Sequence, residues 1–248
     1  MATDPPMMPA AKIPGLIPTL NDTGFMTDAL DAYSARFAAE AGGLAAEVLD
    51  IGCAYGVATL AALEAGARVC AADIEPGHLA VLAGRVPVQQ RDRLRTVVAR
   101  MPDADFPAES FGAILAARVL HFLTGEQIER VVAKMHRWLV PGGRVYLVAD
   151  SPYVGPWYQA WPQYEERKRA GDAWPGFIED YSPWLPASAD MTPRQRTINP
   201  LDPEILRRVT AAAGFIVEAA AWLEGARPGS LKKTHAGVIA RRPAPPCP

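Results

Sequence analysis

The chain is poor in the residues that mark several protein classes. Its 248 residues include only three cysteines, Cys53, Cys70 and Cys247. They are too few and too scattered for a disulfide framework, and their spacings match no zinc pattern, so no metal site is expected. No run of about 18 apolar residues occurs, which argues against a membrane-spanning helix. The formal net charge is -2, without blocks of like charge, so there is no electrostatic reason to expect binding to nucleic acid or anionic lipid. The opening stretch "MATDPPMMPAAKIPG" has no basic region followed by an apolar core, and a secretory leader is not expected. These absences fit a globular protein of a reducing cytoplasm.

Enough apolar residue remains to build a sizeable core: half of the chain is hydrophobic. The length suits a single domain over residues 1–248, with residues 1–20 read as a loosely held tail rich in Pro and Ala. Apolar spacing then predicts an ordered series of elements. "TDALDAYSARFAAEAGG" places Leu30, Tyr33 and Phe37 on one helical face and stops at Gly42-Gly43. Strand patterns fall at 46–51, 68–73, 93–99, 112–118 and 144–150, the last after a break at "PGG", 141–143. Helices are expected at about 56–65, from Pro76, and from Gly125, where Thr124 caps and Gln127 completes a capping box. A last helix, 202–214, has Asp202 as its cap, and two strand patterns follow at 215–222 and 235–240. Strands alternating with helices at this spacing predict an α/β, doubly wound, mostly parallel seven-stranded sheet, with an antiparallel hairpin at one edge.

The stretch "EVLDIGCAYGVATLAALEAGARVCAADIE", 47–75, carries most of the functional information. In a doubly wound sheet, ligands bind outside the carboxyl ends of the strands, where strand order reverses. The turn Gly52, Cys53, Ala54, Tyr55, Gly56 falls at the end of the first long strand. Gly52 permits a sharp turn, and the following helix start exposes N–H groups suited to an anionic group. Asp73 lies 21 positions on (73 − 52) and ends the second strand, where a carboxylate can accept hydrogen bonds from ribose hydroxyls. The pair reads as a site for an adenosine-containing ligand. A dinucleotide site would want G-x-G-x-x-G, and this chain has G-C-A-Y-G.

"VLDIGCAYG", "ADIE", "FPAESFGAILAARVLHFL" and "LVPGGRVYLV", taken together, resemble the class I S-adenosylmethionine-dependent methyltransferases of the small-molecule group. The resemblance covers about residues 25–150. It implies a Rossmann-like methyltransferase fold with S-adenosyl-L-methionine as cofactor and S-adenosyl-L-homocysteine as product. It also implies that Gly52, Ala54 and Gly56 pack against the methionyl and ribose parts, that Asp73 holds the ribose, and that Ile74 flanks the adenine. Arg100 and Met101 lie where the family contacts the adenine ring, and Ala117 and Arg118 beside the methionine end. Three positions depart from the family pattern. Ala54 replaces a middle glycine, where a methyl is expected to need negative φ. Ala99-Arg100 stand where an adenine-reading acid is common, and Gly112 replaces an aspartate.

Such a reaction needs alignment in a water-poor pocket more than a catalytic triad, because the sulfonium already activates the methyl. Among the histidines, His78 sits close to Asp73 and either borders the adenine or lies on a helix surface. His121 follows the fourth strand, where it can act as a base or orient the acceptor, or can cap the strand end through the backbone. His136 and His235 read as surface or core. Between the fifth strand and the last helix, "SPYVGPWYQAWPQYEERKRAGDAWPGFIEDYSPWLP" holds nine of the twenty aromatics. It is too long for an ordinary connection and reads, over 151–200, as a cap that roofs an acceptor pocket. A small aromatic or apolar acceptor methylated at oxygen or nitrogen is therefore expected. The alternatives are a nicotinamide oxidoreductase on a similar sheet and a protein that binds the cofactor without transferring its methyl.

Overall fold

The computed structural model describes residues 7–11, 14–22, 24–184, 196–225 and 232–244. Two short strands, β1 (Leu16–Pro18) and β2 (Phe25–Thr27), form an antiparallel hairpin. Helix α1 (Ala32–Ala41) follows, capped by Asp31, whose carboxylate accepts the N–H groups of Tyr33 and Ser34. Next come β3 (Glu47–Ile51), α2 (Val57–Glu64), β4 (Val69–Asp73), α3 (Pro76–Arg85), β5 (Leu94–Val98) and β6 (Phe111–Ala117). The chain continues with α4 (Gly125–Trp138), β7 (Leu139–Asp150), α5 (Trp161–Arg169), α6 (Pro203–Ala212), β8 (Ile216–Leu223) and β9 (His235–Arg241).

Seven strands form one sheet in the order β5-β4-β3-β6-β7-β9-β8. β3 to β7 run parallel, and β9 and β8 complete the edge as antiparallel neighbours. Successive strand residues face opposite sides, which gives two cores. Leu49, Ile51, Ile114 and Ala116 pack with Ile128, Val131, Val132 and Met135 of α4 and Leu206 of α6. Val48, Val69, Ala71, Ala113 and Leu115 pack on the other face with Phe37 of α1, Leu63 of α2 and Leu82 of α3. The chain passes from β3 outward to β4 and β5, then returns to β6 on the other side of β3. Strand order thus reverses between β3 and β6.

The structure corrects two expectations about local form. β7 starts at Leu139, not after the "PGG", because Phe111 pairs with Leu139 and the ladder resumes at Ala113–Arg144 across an irregularity. Residues 14–20 are not a loose tail: Ile17 is buried with Met26 against Tyr55 and Val81, so apolar burial holds the hairpin in place. Residues 1–6, residues 185–195 of the cap and Cys247 lie outside the described residues.

Candidate active site

The turn after β3 is built from residues with special backbone needs. Gly52 has φ +68°, and a Cβ there would lie 2.3 Å from Val119 Cγ2. Gly56 has φ +82° and caps α2 in the left-handed conformation, where a Cβ would lie 2.2 Å from Leu82 Cδ1. Only glycine suits both positions. Ala54 also has positive φ, +45°, contrary to the negative value expected for a residue carrying a methyl. Its N–H donates to Asp73 Oδ2 at 2.8 Å, an interaction that helps hold this left-handed alanine.

Asp73 is buried at the end of β4, beside β3. Besides Ala54, it takes the Glu75 N–H on Oδ1 at 2.9 Å and lies 3.0 Å from His78 Nδ1. His78 Nε2 accepts the N–H of Leu20 at 2.9 Å, which fixes the tautomer: Nδ1 carries the proton and donates to Asp73. His78 is therefore buried and not a helix-surface residue. It links the N-terminal hairpin to the carboxylate, with its ring edge-on to Tyr55 at 4.9 Å between centroids. Tyr55 in turn donates its hydroxyl to Pro18 O at 2.7 Å, and burial pushes its phenol up to about 12.

Burial pushes the Cys53 thiol well above its ordinary range, which makes it a packing residue and not a nucleophile. Ile74 is 38% exposed next to Asp73. Beyond β5, the Ala99 N–H donates to Asp73 O at 2.8 Å, which brings the start of the Arg100–Met101 segment to the same edge of the sheet. Ala117 ends β6 across the switch point, and Arg118 follows it. Arg118 has φ +57°, and its buried Nη1 has no hydrogen-bond partner among the described residues.

His121 is sealed from solvent beside Phe122, at 4.3 Å between ring centroids, with Trp157 further out at 6.4 Å. Its Nδ1 accepts the N–H of Asp150 at 3.1 Å, so Nε2 carries the proton and faces Asp150 Oδ2 at 3.9 Å. Burial, the largest influence, holds its pKa below the ordinary histidine value. Of its expected roles, strand-end capping is the one the hydrogen bonds show. His235, read from the sequence as surface or core, is buried at the same edge, with Nε2 3.4 Å from Asp150 Oδ1. The pairing of Asp150 with His235 is not legible in the sequence. The available signal was topological: an antiparallel strand beside the fifth parallel one begins at the carboxyl edge.

The aromatic insertion packs beside this edge. Trp157 donates Nε1–H to Ser151 O at 3.0 Å, and it clusters with Tyr181, Ile198, Phe122 and Ile178. Tyr164 donates to Asp202, which also receives Lys168 and caps α6, so α5 is tied to the body of the domain.

The donor set fits an adenosine cofactor. A carboxylate offers about four acceptor positions and Asp73 uses three, leaving one for a ribose hydroxyl. The start of α2 has no side-chain cap, and Arg118 supplies an unpartnered cation for a carboxylate.

The fold and this turn define a Rossmann-like methyltransferase scaffold of class I. Residues 48–143 match a family model described as a methyltransferase domain, in keeping with the fold. A demethylmenaquinone methyltransferase of Tropheryma whipplei is 31% identical over 141 residues, covering 54% of this chain and 56% of that protein. The cypemycin N-terminal methyltransferase of a Streptomyces species is 34% identical over 108 residues, 42% of each chain. The chain thus spans about half the length, or less, of these relatives. A Burkholderia thailandensis 1,6-didemethyltoxoflavin-N1-methyltransferase, solved with 1,6-didemethyltoxoflavin and S-adenosylhomocysteine, superposes with a TM-score of 0.57 at 21% identity, covering 86% of this chain and 79% of that one. An S-adenosylmethionine-dependent methyltransferase of Methanosarcina mazei gives 0.62 at 18% identity, covering 81% and 93%. At these identities the two structures speak for the fold.

Proposed function

We propose that the protein transfers the methyl group of S-adenosylmethionine to an oxygen or nitrogen of a small molecule. The observation that carries this reading is the bond from the Ala54 N–H to the Asp73 carboxylate. It locks the turn after β3 to the acid ending β4, beside the reversal of strand order, where this class of sheet holds its nucleotide. Bound there, the cofactor would supply an activated methyl on a sulfonium. Gly52, Cys53, Ala54, Tyr55 and Gly56 would shape its methionyl and ribose side. Asp73 would accept a ribose hydroxyl, with Ile74, Arg100 and Met101 bordering the adenine. Ala117 and Arg118 would face the methionine end.

The acceptor would lie over the ends of β6 and β7, under the rings of the 151–184 insertion. Aromatic faces bury flat or apolar molecules and tolerate a nearby cation. Two of the similar proteins fit a small-molecule acceptor: one is named for 1,6-didemethyltoxoflavin and another for demethylmenaquinone. The net charge of -2 gives no electrostatic reason to expect a nucleic-acid acceptor.

Calorimetry with S-adenosylmethionine, S-adenosylhomocysteine and NAD, followed by a tritiated-methyl transfer screen over small metabolites, tests the proposal. Binding of the two sulfur compounds and label transfer are expected. Binding of NAD alone would overturn the reading in favour of an oxidoreductase, and cofactor binding without transfer would leave a binding protein.

A further inference from the structure

Four buried side-chain polar atoms lack a hydrogen-bond partner among the described residues: Arg118 Nη1, Asp150 Oδ1, Asn199 Oδ1 and His235 Nδ1. They are not scattered. Arg118 lies three residues before His121, and the Asp150 N–H donates to His121 Nδ1. The Asn199 N–H donates to His121 O at 2.7 Å, and Asp150 and His235 are direct partners across the β7–β9 ladder. Native interiors leave few such atoms unpaired, and a cluster of them calls for a ligand or a chemical role. This one lies at the carboxyl edge of β6 and β7, on the acceptor side of the cofactor turn.

The members differ in access. His121 and His235 are sealed, whereas the Asp150 side chain keeps 22% exposure. Paired residues of neighbouring strands point to the same face, so His235 stands directly beside Asp150. Strands are spaced about 4.8 Å apart, which puts Asp150 roughly one strand and His235 roughly two strands from the end of β6. That span is within reach of a small ring placed beside the methyl donor.

Resting on the function proposed above, we propose that Asp150, backed by His235, is the proton acceptor for the methyl acceptor, and that the acceptor atom is the oxygen of an ionisable hydroxyl, such as a phenol or enol. An amine attacks as a neutral nucleophile and can lose its proton afterwards to water. A hydroxyl is a poor nucleophile until its proton is leaving, so a placed base matters for oxygen acceptors. In the step, the hydroxyl oxygen forms its bond to the methyl carbon while the carbon–sulfur bond breaks, its electron pair staying on sulfur. The hydroxyl proton passes to the Asp150 carboxylate. The positive charge that left the sulfonium ends as that proton, held by the Asp150–His235 pair.

The charged and titratable groups facing His235 are Asp150 from β7, Arg118 after β6, Asp31 at the start of α1, and His121. Burial is the largest influence and holds His235 below the ordinary histidine value. Arg118 acts in the same sense, while Asp150 and Asp31 oppose it. The ring is therefore neutral, and able to share a proton, at neutral pH.

The test uses the full chain with tritiated S-adenosylmethionine, the phenols catechol and 2-naphthol, and the amines benzylamine and tetrahydroisoquinoline. Label transfer to the phenols is expected. Asp150→Asn, which keeps size and shape, should lower kcat at least 100-fold, with KM and S-adenosylhomocysteine affinity changed less than threefold. His235→Asn should lower kcat at least tenfold. Imidazole NMR adds a readout independent of turnover: Asp150→Asn removes the charge that favours the protonated ring, so the His235 titration should move to lower pH. Unchanged kcat in Asp150→Asn, transfer to the amines alone, no transfer to either phenol by protein that binds S-adenosylhomocysteine, or an unmoved His235 titration would each overturn the inference. Failure of the wild type to bind S-adenosylhomocysteine would instead remove the underlying proposal.

Discussion

Asp73 illustrates how the side chain proposed to hold the ribose also fixes the turn. Its carboxylate is held by the Ala54 and Glu75 amides and by the His78 ring, so its orientation is fixed by the fold itself. Asp73→Asn would remove the charge and present an N–H to one of those donors. We expect S-adenosylhomocysteine affinity to fall by about 1.5–3 kcal/mol, on the scale of hydrogen bonds to charged groups, as measured by calorimetry. Undiminished affinity would move the ribose elsewhere. A neighbouring position tests the backbone. Gly56→Ala would combine left-handed strain of about 1–2 kcal/mol with the close approach of Leu82 Cδ1 at 2.2 Å. The variant should lose about 2–4 kcal/mol in urea unfolding. Adding Leu82→Ala should recover the steric part of the Gly56→Ala loss in a double-mutant cycle, leaving the φ penalty.

At the scale of elements, what the sequence revealed follows from what carries the signal. The α4 capping box is local, and both of its bonds form: Gln127 N–H to Thr124 Oγ1 and Thr124 N–H to Gln127 Oε1. The turn at 52–56 and the acid at 73 were legible because glycine and a strand-end carboxylate have few other uses in that context. The β1–β2 hairpin was not legible, since two three-residue strands, one ending in Pro18, offer no periodicity. Tertiary burial of Ile17 and Met26 on Tyr55 creates them. His235 reads only as surface or core for a similar reason: nothing local says that β9 pairs with β7 in the register that sets His235 opposite Asp150. The hairpin yields its own prediction. Tyr55→Phe deletes the bond to Pro18 O. We expect the Leu20 amide, bonded to His78, to lose about 0.5–1.5 kcal/mol of protection in hydrogen exchange, with amides of the central strands unaffected. Equal loss in the hairpin and the central strands would mean that the hairpin has no separate opening.

For the whole molecule, opposed buried groups shape the dependence of stability on pH. Asp50, fully buried on β3, is raised from 3.8 to about 6, mainly by burial, against the opposing bond from Thr59. Between those values the folded state holds the proton that the unfolded chain has already released. Stability therefore falls as pH rises through that window and is level above it. His121 and His235 act in the opposite sense. Their folded pKa values are depressed by burial, so the unfolded chain binds protons first, and stability falls as pH drops below the ordinary histidine value of 6.5. The two effects partly cancel in mild acid. Asp50→Asn removes one of them: relative to the wild type, the variant should be most stable above pH 6, by a constant margin. That margin should shrink, by up to about 3 kcal/mol, as pH falls from 6 toward 4, because the wild type then recovers its neutral acid. Melting temperatures of both proteins between pH 4 and 8 measure the difference. A margin independent of pH would show that Asp50 ionises in the folded protein as it does in the unfolded chain. The Asp50 carboxyl at the heart of the sheet would then not be carrying the burial penalty on which this pH dependence rests.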